Sequence, residues 1–229
     1  MSAEVAFAYA RGLQTIGTMR RSAGQFESAA RFHDKSARVA LAHRSDARLV
    51  FDAHQAASHA RQEFDVAGAR RSLAAAREIA EHLTLDDQLN VLTRKAELLY
   101  VLGQPLDALR VHEAEIGPRL GYRDAECPTS DSIRGAALAG LLMAARGPRG
   151  AEEALEVLST ATAGAAYNVT IRRDLLVQSA RCRLRLGDVE GAAGSEAEAR
   201  ALTQFHGLSV DGVLALRREL RGRDGGPAR

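Results

Sequence analysis

The sequence predicts an all-α protein of about five helix-turn-helix repeats closed by one C-terminal helix, and three observations carry that prediction. Aromatic residues are only 4% of the 229, Trp is absent and Pro numbers five, whereas 46% is hydrophobic. Such a mix favours helices and lacks the β-branched and aromatic supply of a sandwich or barrel. Five short turns share one grammar, with anchor alanines at a near-constant period. Between the turns apolar residues return every three or four positions, so each segment presents one helical face.

The turns are Ala23-Gly24-Gln25-Phe26-Glu27-Ser28-Ala29, Glu63-Phe64-Asp65-Val66-Ala67-Gly68-Ala69, Gly103-Gln104-Pro105-Leu106-Asp107-Ala108, Gly150-Ala151-Glu152-Glu153-Ala154 and Gly187-Asp188-Val189-Glu190-Gly191-Ala192. In each, a Gly or polar residue ends one helix, an acidic or polar stretch opens the next, and a small Ala follows where two helices come close. Ala29, Ala69, Ala108, Ala154 and Ala192 lie 40, 39, 46 and 38 residues apart, as in stacked helical hairpins.

In chain order, the first hairpin (3–43) sets Leu13, Ile16 and Gly17 against Phe32 and Ala37. The second (46–82) uses Ala53, Ala56 and Ala57 with Leu73 and Ala76, and the third (87–116) uses Leu92, Ala96 and Leu99 with Val111. The fourth (131–161) uses Leu138, Leu141 and Leu142 with Leu155 and Leu158, and the fifth (169–204) Leu176, Ala180 and Arg183 with Ala193 and Ala197. Helices are expected at 3–22, 25–43, 46–62, 65–82, 87–102, 104–116, 131–146, 150–161, 169–186, 189–204 and 210–221, the last covering the open face of the stack. The long interval between the third and fourth turns falls at 117–130, where Pro, Gly and charge replace periodicity, so an inserted loop is expected there. Residues 1–222 are read as a single repeat domain and 223–229 as a disordered tail. A lone hairpin cannot bury enough to offset ~1–2 kcal/mol of chain entropy per residue, so stability must come from stacking.

The segments Leu186-Gly187-Asp188-Val189-Glu190-Gly191-Ala192 and Ala23-Gly24-Gln25-Phe26-Glu27-Ser28-Ala29 resemble the Gly-x-Φ-x-x-Ala turn of tetratricopeptide repeats. The resemblance covers nearly the whole chain, with units longer than the family's roughly 34 residues. In length they are similar to the helical repeat domains attached to bacterial transcription activators and signalling ATPases. The resemblance implies a right-handed superhelical α-solenoid whose first helices line a concave wall.

Charge excludes some partners. Thirty-one basic against 29 acidic residues leave a formal +2, too little for the whole chain to hold a phosphate backbone or an anionic membrane. Lys35 and Lys95 are the only lysines, so the basic surface is arginine. Apolar stretches such as 136–145 are too short to span a bilayer, and Arg11, Arg20 and Arg21 interrupt any signal-peptide core, so a cytoplasmic protein is expected.

Chemistry-bearing constellations are sparse. His54 and His59 are five apart and turn away from each other, unlike a helical zinc pair. Glu78 with His82 and His59 with Glu63 share a face and read as solvated pairs. Cys127 and Cys182 have no zinc-like spacing, and Cys182, between Arg181 and Arg183, reads as a core thiol. No nucleophile-base-acid order, carboxylate cleft or phosphate loop assembles, so neither catalysis, cofactor nor metal is expected.

The first helices, however, carry a set of polar residues one step off the packing face: Arg11, Gln14 and Arg21, then His54 and Arg61, then Asn90, Arg94 and Tyr100, and Arg181 in the fifth unit. Forked guanidinium groups converging on one wall suit an extended acidic segment. The same arginines also fit a solvated surface in an Arg-rich chain. The leading expectation is a non-enzymatic module for protein or peptide interaction or ligand sensing, in transcriptional or signal regulation, binding an acidic segment in its groove. The alternative is a DNA-binding regulator using 202–218, where Gly207, Leu208, Val213 and Leu216 occupy helix-turn-helix positions, although Gly212 weakens its recognition helix. Direct nucleic-acid contact is otherwise not expected, nor a membrane, while self-association through Val210, Val213 and Leu214 would give a homodimer.

Overall fold

A computed structural model of the chain describes residues 2–43, 46–119, 129–165, 168–206 and 211–224. Among the described residues there is no strand, and ten α-helices follow one another: α1 (Ala3–Ser22), α2 (Phe26–Ala42), α3 (Ala47–Arg61), α4 (Val66–Ala80), α5 (Leu85–Val101), α6 (Pro105–Val111), α7 (Thr129–Gly164), α8 (Val169–Leu186), α9 (Val189–His206) and α10 (Asp211–Asp224).

Local chemistry sets the ends. Ser2 accepts from Val5 N–H at 3.3 Å, Asp46 from Arg48 N–H at 2.8 Å, Asp65 from Gly68 N–H at 2.8 Å and Asn168 from Ile171 N–H at 3.2 Å, each satisfying an amide that its helix leaves orphaned. Thr84 and Asp87 cap α5 reciprocally. At the other ends, Gly24, Gly103 and Gly187 take φ of 74°, 74° and 82°, which a side chain would disfavour. The two turns nearest the tetratricopeptide pattern close with the same bonds. Gly24 N–H reaches Arg21 O and Gln25 N–H reaches Arg20 O, both at 2.9 Å; Gly187 N–H reaches Leu184 O at 3.2 Å and Asp188 N–H reaches Arg183 O at 2.9 Å.

The fourth turn differs from expectation. α7 is two helical arms joined at Gly147 (φ 59°, ψ −134°), three residues before the expected Gly150. Pro148 lacks the N–H needed to carry the first arm onward, so the break falls there. Gly150 lies inside the second arm, where a Cβ would stand 2.0 Å from Leu142 O. α6 is also shorter than expected, because its helix widens into a π turn at His112–Ile116 and tightens into a 3₁₀ turn at Gly117–Arg119. Of the expected loop, 120–128 lies outside the described residues, and 129–130 already belong to α7. Residues 223–224, expected in the tail, belong to α10, and 225–229 lie outside the described residues.

The chain divides into two units, Met1–Leu102 and Gly103–Arg229. In the first, α1 packs on α2 and α3, α2 on α3, α3 on α4 and α5, and α4 on α5. Its core gathers Ala10, Ala37, Ala40, Leu49, Val50 and Ala53, then Phe51, Leu73, Ala76, Ala80 and Val91. In the second, α6 packs on α7, α7 on α8, and α8 on α9 and α10, with Leu176, Ala180, Leu184, Ala199, Val213 and Leu216 among the core residues. All five anchor alanines are 0% exposed, as close helix approach requires. Ala193 and Ala197, expected to pack, are exposed; one step of register away, Ala192, Glu196 and Ala199 are buried instead.

Candidate functional site

Within the first unit, α1 pairs with α2 and α3 with α4, and α3 also touches both α1 and α5. Along α3, Arg48, Asp52, Gln55 and His59 recur at four, three and four residues and so share one face. At its N-terminal end, Arg48 Nη1 stands 2.8 Å from the carboxylate of Asp87, which is fully buried and also accepts from the Thr84 hydroxyl at 2.7 Å. Burial pushes the Asp52 carboxyl above the ordinary range, against the pull of Arg48 and, more weakly, of Arg11.

At the C-terminal end the chemistry changes sign. Arg21 Nη1 lies 3.0 Å from Nδ1 and 3.1 Å from Nε2 of His59. Burial, then Arg94, then Arg21 push the His59 ring down to about 4, so it is neutral at physiological pH. Arg94 is held by Glu97. Arg21 has no carboxylate partner among the described residues, and beside His59 on the same face the buried Gln55 Nε2 has no hydrogen-bond partner. A guanidinium without a counter-ion, next to a neutral imidazole, is a place for an anion's oxygens.

The structure distributes the sequence-derived residues over more than one face. Arg21 and Arg94 come together around His59. Gln14 Nε2 donates to Leu49 O at 2.9 Å, tying α1 to α3. Arg11 is exposed, Tyr100 is 49% exposed, and Asn90 Nδ2 donates to Asp86 at 3.4 Å. Arg61 reaches α2 and α4 instead: it clasps Asp34 at 3.0 and 2.5 Å and donates to Ser72 Oγ at 2.6 Å. His54, seven residues earlier on the same face of α3, is depressed by burial and Arg61 while Asp34 raises it. Arg181 belongs to the second unit, where it pairs with Glu219 at 3.1 Å. His59, expected as a solvated partner of Glu63, is the residue that sequence reasoning missed. The 48-52-55-59 spacing was the signal that could have found it.

The second unit holds a cavity of about 830 Å³ lined by His112, Glu113, Leu138, Leu142, Glu153 and Val157, among others. Arg146 bridges Glu113 and Glu153, and His112 Nε2 lies 3.3 Å from Arg134 O, so the imidazole is tied to backbone. Cys182 is fully buried, and burial outweighs the neighbouring Arg185 to push its thiol up to about 11, an inert core thiol as its position in the helix indicated. Cys127 lies outside the described residues. Among the described residues no three His, Cys, Asp or Glu side chains gather to hold a metal ion, and no helix is long and apolar enough to cross a membrane.

No family model matches the chain, and no curated protein matches it. Solved structures do. A kinesin light chain from Podosopora anserina, described as nearly identical TPR-like repeats, aligns with TM-score 0.59 and 17% identity over 87% of this chain and 97% of that one. BtubC (BKLC) from P. vanneervenii aligns with TM-score 0.55 and 14% identity over 98% of this chain and 85% of that one. The fold is a tetratricopeptide-like helical repeat.

In such an array the last apolar face needs a cover, and α10 supplies it for the second unit. Val213, Leu216 and Leu220 are buried against α8 and α9, and Arg217 Nε lies 3.4 Å from Glu196. The residues proposed to pack a helix-turn-helix thus pack the repeat, and Arg217 is partly neutralised. Gly207 and Leu208, its turn, lie outside the described residues, as does Val210. Val213 is therefore not free for self-association, although Leu214 is 42% exposed.

Proposed function

We propose that this tetratricopeptide-like chain is a non-enzymatic interaction module of the cytoplasm that holds an extended acidic segment of a partner protein along the α1–α3–α5 face. The observation that carries the reading is Arg21, set on the neutral ring of His59 without a carboxylate among the described residues. Arg94, paired with Glu97, adds positive charge beside the same ring. Arg11, on α1, and Asn90 and Tyr100, on α5, extend the face; Gln14 braces it, and His54, Arg61 and Arg181 serve other contacts. Guanidinium groups pair bidentately with carboxylates, and a row of them across parallel helices matches a chain of Asp and Glu better than a compact ligand.

Fluorescence anisotropy with a labelled Glu/Asp-rich peptide tests this at low and moderate salt. The native chain should bind, more weakly as salt rises, and the Arg21→Ala/Arg94→Ala variant should lose about tenfold or more in affinity with an unchanged circular dichroism spectrum. Equal binding by both proteins, or none by either, overturns the proposal.

A further inference from the structure

α1 carries two apolar stripes, and the hairpin uses only one. Ala6, Ala10, Leu13 and Gly17 are buried against α2 and α3. Val5, Tyr9, Gly12, Ile16 and Met19 form the second, at spacings of four, three, four and three residues, the periodicity of a helix-pairing seam. This stripe is open: Val5 is 56% exposed, Tyr9 43%, Ile16 39% and Met19 67%, and nothing lies within 4 Å of where a Cβ on Gly12 would stand. Gln14, which binds α3, lies about 160° around the helix from Gly12, so the seam is on the side of α1 away from α3. Lys35 Nζ, 5.5 Å from the centre of the Tyr9 ring, is the α2 group at its margin.

We propose that this seam is a self-association surface, on which α1 pairs antiparallel with α1 of a second copy of the chain, crossing at Gly12. The argument for a second copy is the order of sizes. Large side chains stand on both sides of a central glycine, Val5 and Tyr9 before it and Ile16 and Met19 after. A two-fold axis at Gly12 sets glycine against glycine, which lets the backbones approach, and brings Val5 beside Met19 and Tyr9 beside Ile16 from the other copy. None of the five seam residues is charged; Lys35, over Tyr9, and the exposed Arg20, next to Met19, flank it. The open side chains expose on the order of 400 Å² per copy, about half of what a standard interface buries on each side. That area suits a weak dimer in exchange with monomer. It also moves self-association from the end of the chain, where Val213 is buried, to its first helix.

Sedimentation equilibrium of the full chain over a range of concentrations should show a concentration-dependent monomer–dimer equilibrium. Ile16→Glu/Met19→Glu should be monomeric throughout, with native helix content and melting, because both positions are exposed. In a Cys127→Ala background, Gly12→Cys should form a disulfide-linked dimer on mild oxidation, since a two-fold crossing brings the two Cα atoms within the roughly 4.4–6.8 Å that a disulfide spans. Gly140→Cys in the same background should not. A native chain that stays monomeric, a dimer that survives Ile16→Glu/Met19→Glu, or a Gly12→Cys chain that cross-links no better than Gly140→Cys overturns the proposal.

Discussion

Gly17 and His33 occupy one volume: a Cβ on Gly17 would stand 2.7 Å from Cε1, 2.8 Å from Nε2 and 3.0 Å from Nδ1 of the ring. The ring itself is 1% exposed. The packing of α1 on α2 thus depends on an absent methyl group.

Gly17→Ala should therefore destabilise the protein by about 1–3 kcal/mol, as overpacking does, despite alanine's better helix propensity. Gly140→Ala is the contrast. Nothing lies within 4 Å of its Cβ position in α7, and the same change should stabilise by about 0.5–1 kcal/mol. Urea melts of the two variants check the pair. A neutral or stabilising Gly17→Ala would show that the ring yields.

His33 also makes stability depend on pH. Burial first, then Arg21, lower its ring from 6.5 to about 4, against a smaller upward pull from Asp34, and neither ring nitrogen has a hydrogen-bond partner among the described residues. The folded chain binds this proton less readily than the unfolded one. The stability from keeping the ring neutral is therefore complete above about pH 6.5 and is lost as pH falls toward 4, a change of about 2–3 kcal/mol for this group. His59, also lowered to about 4, adds in the same direction. Thermal melts between pH 7.5 and 4 should show the decline, and His33→Leu should flatten part of it. An unaltered profile in that variant would place the titration elsewhere.

In the second unit, Arg134 is 2% exposed and donates to Asp131 at 2.6 Å. Removing one member of a buried pair leaves the other charged and desolvated, so Arg134→Ala should cost about 3 kcal/mol or more. Replacing both partners, Arg134→Met with Asp131→Asn, should recover much of that loss. Chemical denaturation of the single and double variants measures the difference, and a double variant worse than the single would mean that the charges contribute through other contacts.

Legibility from sequence varied by feature. The five turn alanines and the helix-closing Gly24, Gly103 and Gly187 were readable because each acts within a few residues of chain. The position of a side chain around its helix was read less well. Ile16 was expected inside and is 39% exposed, because α1 bears two adjacent apolar stripes and periodicity alone does not say which one meets a neighbour. On α3, His54 and Arg61 were both taken for groove residues, yet Arg61 meets Asp34 and Ser72. One residue turns a helix by about 100°, so a single step of register exchanges a binding face for a packing face. At the fourth turn the break was expected at Gly150 and falls at Gly147, where the proline that follows ends the first arm.

By itself, then, the sequence determined that the chain is helical and where most of its turns fall, since capping, glycine conformation and apolar spacing are local interactions. Only the tertiary structure decided that Arg21 rests on His59, that Asp34 claims Arg61, that His33 fills the space beside Gly17 and that one stripe of α1 stays bare. Those outcomes depend on which helix lies against which, a long-range arrangement in which burial sets protonation and ion pairing.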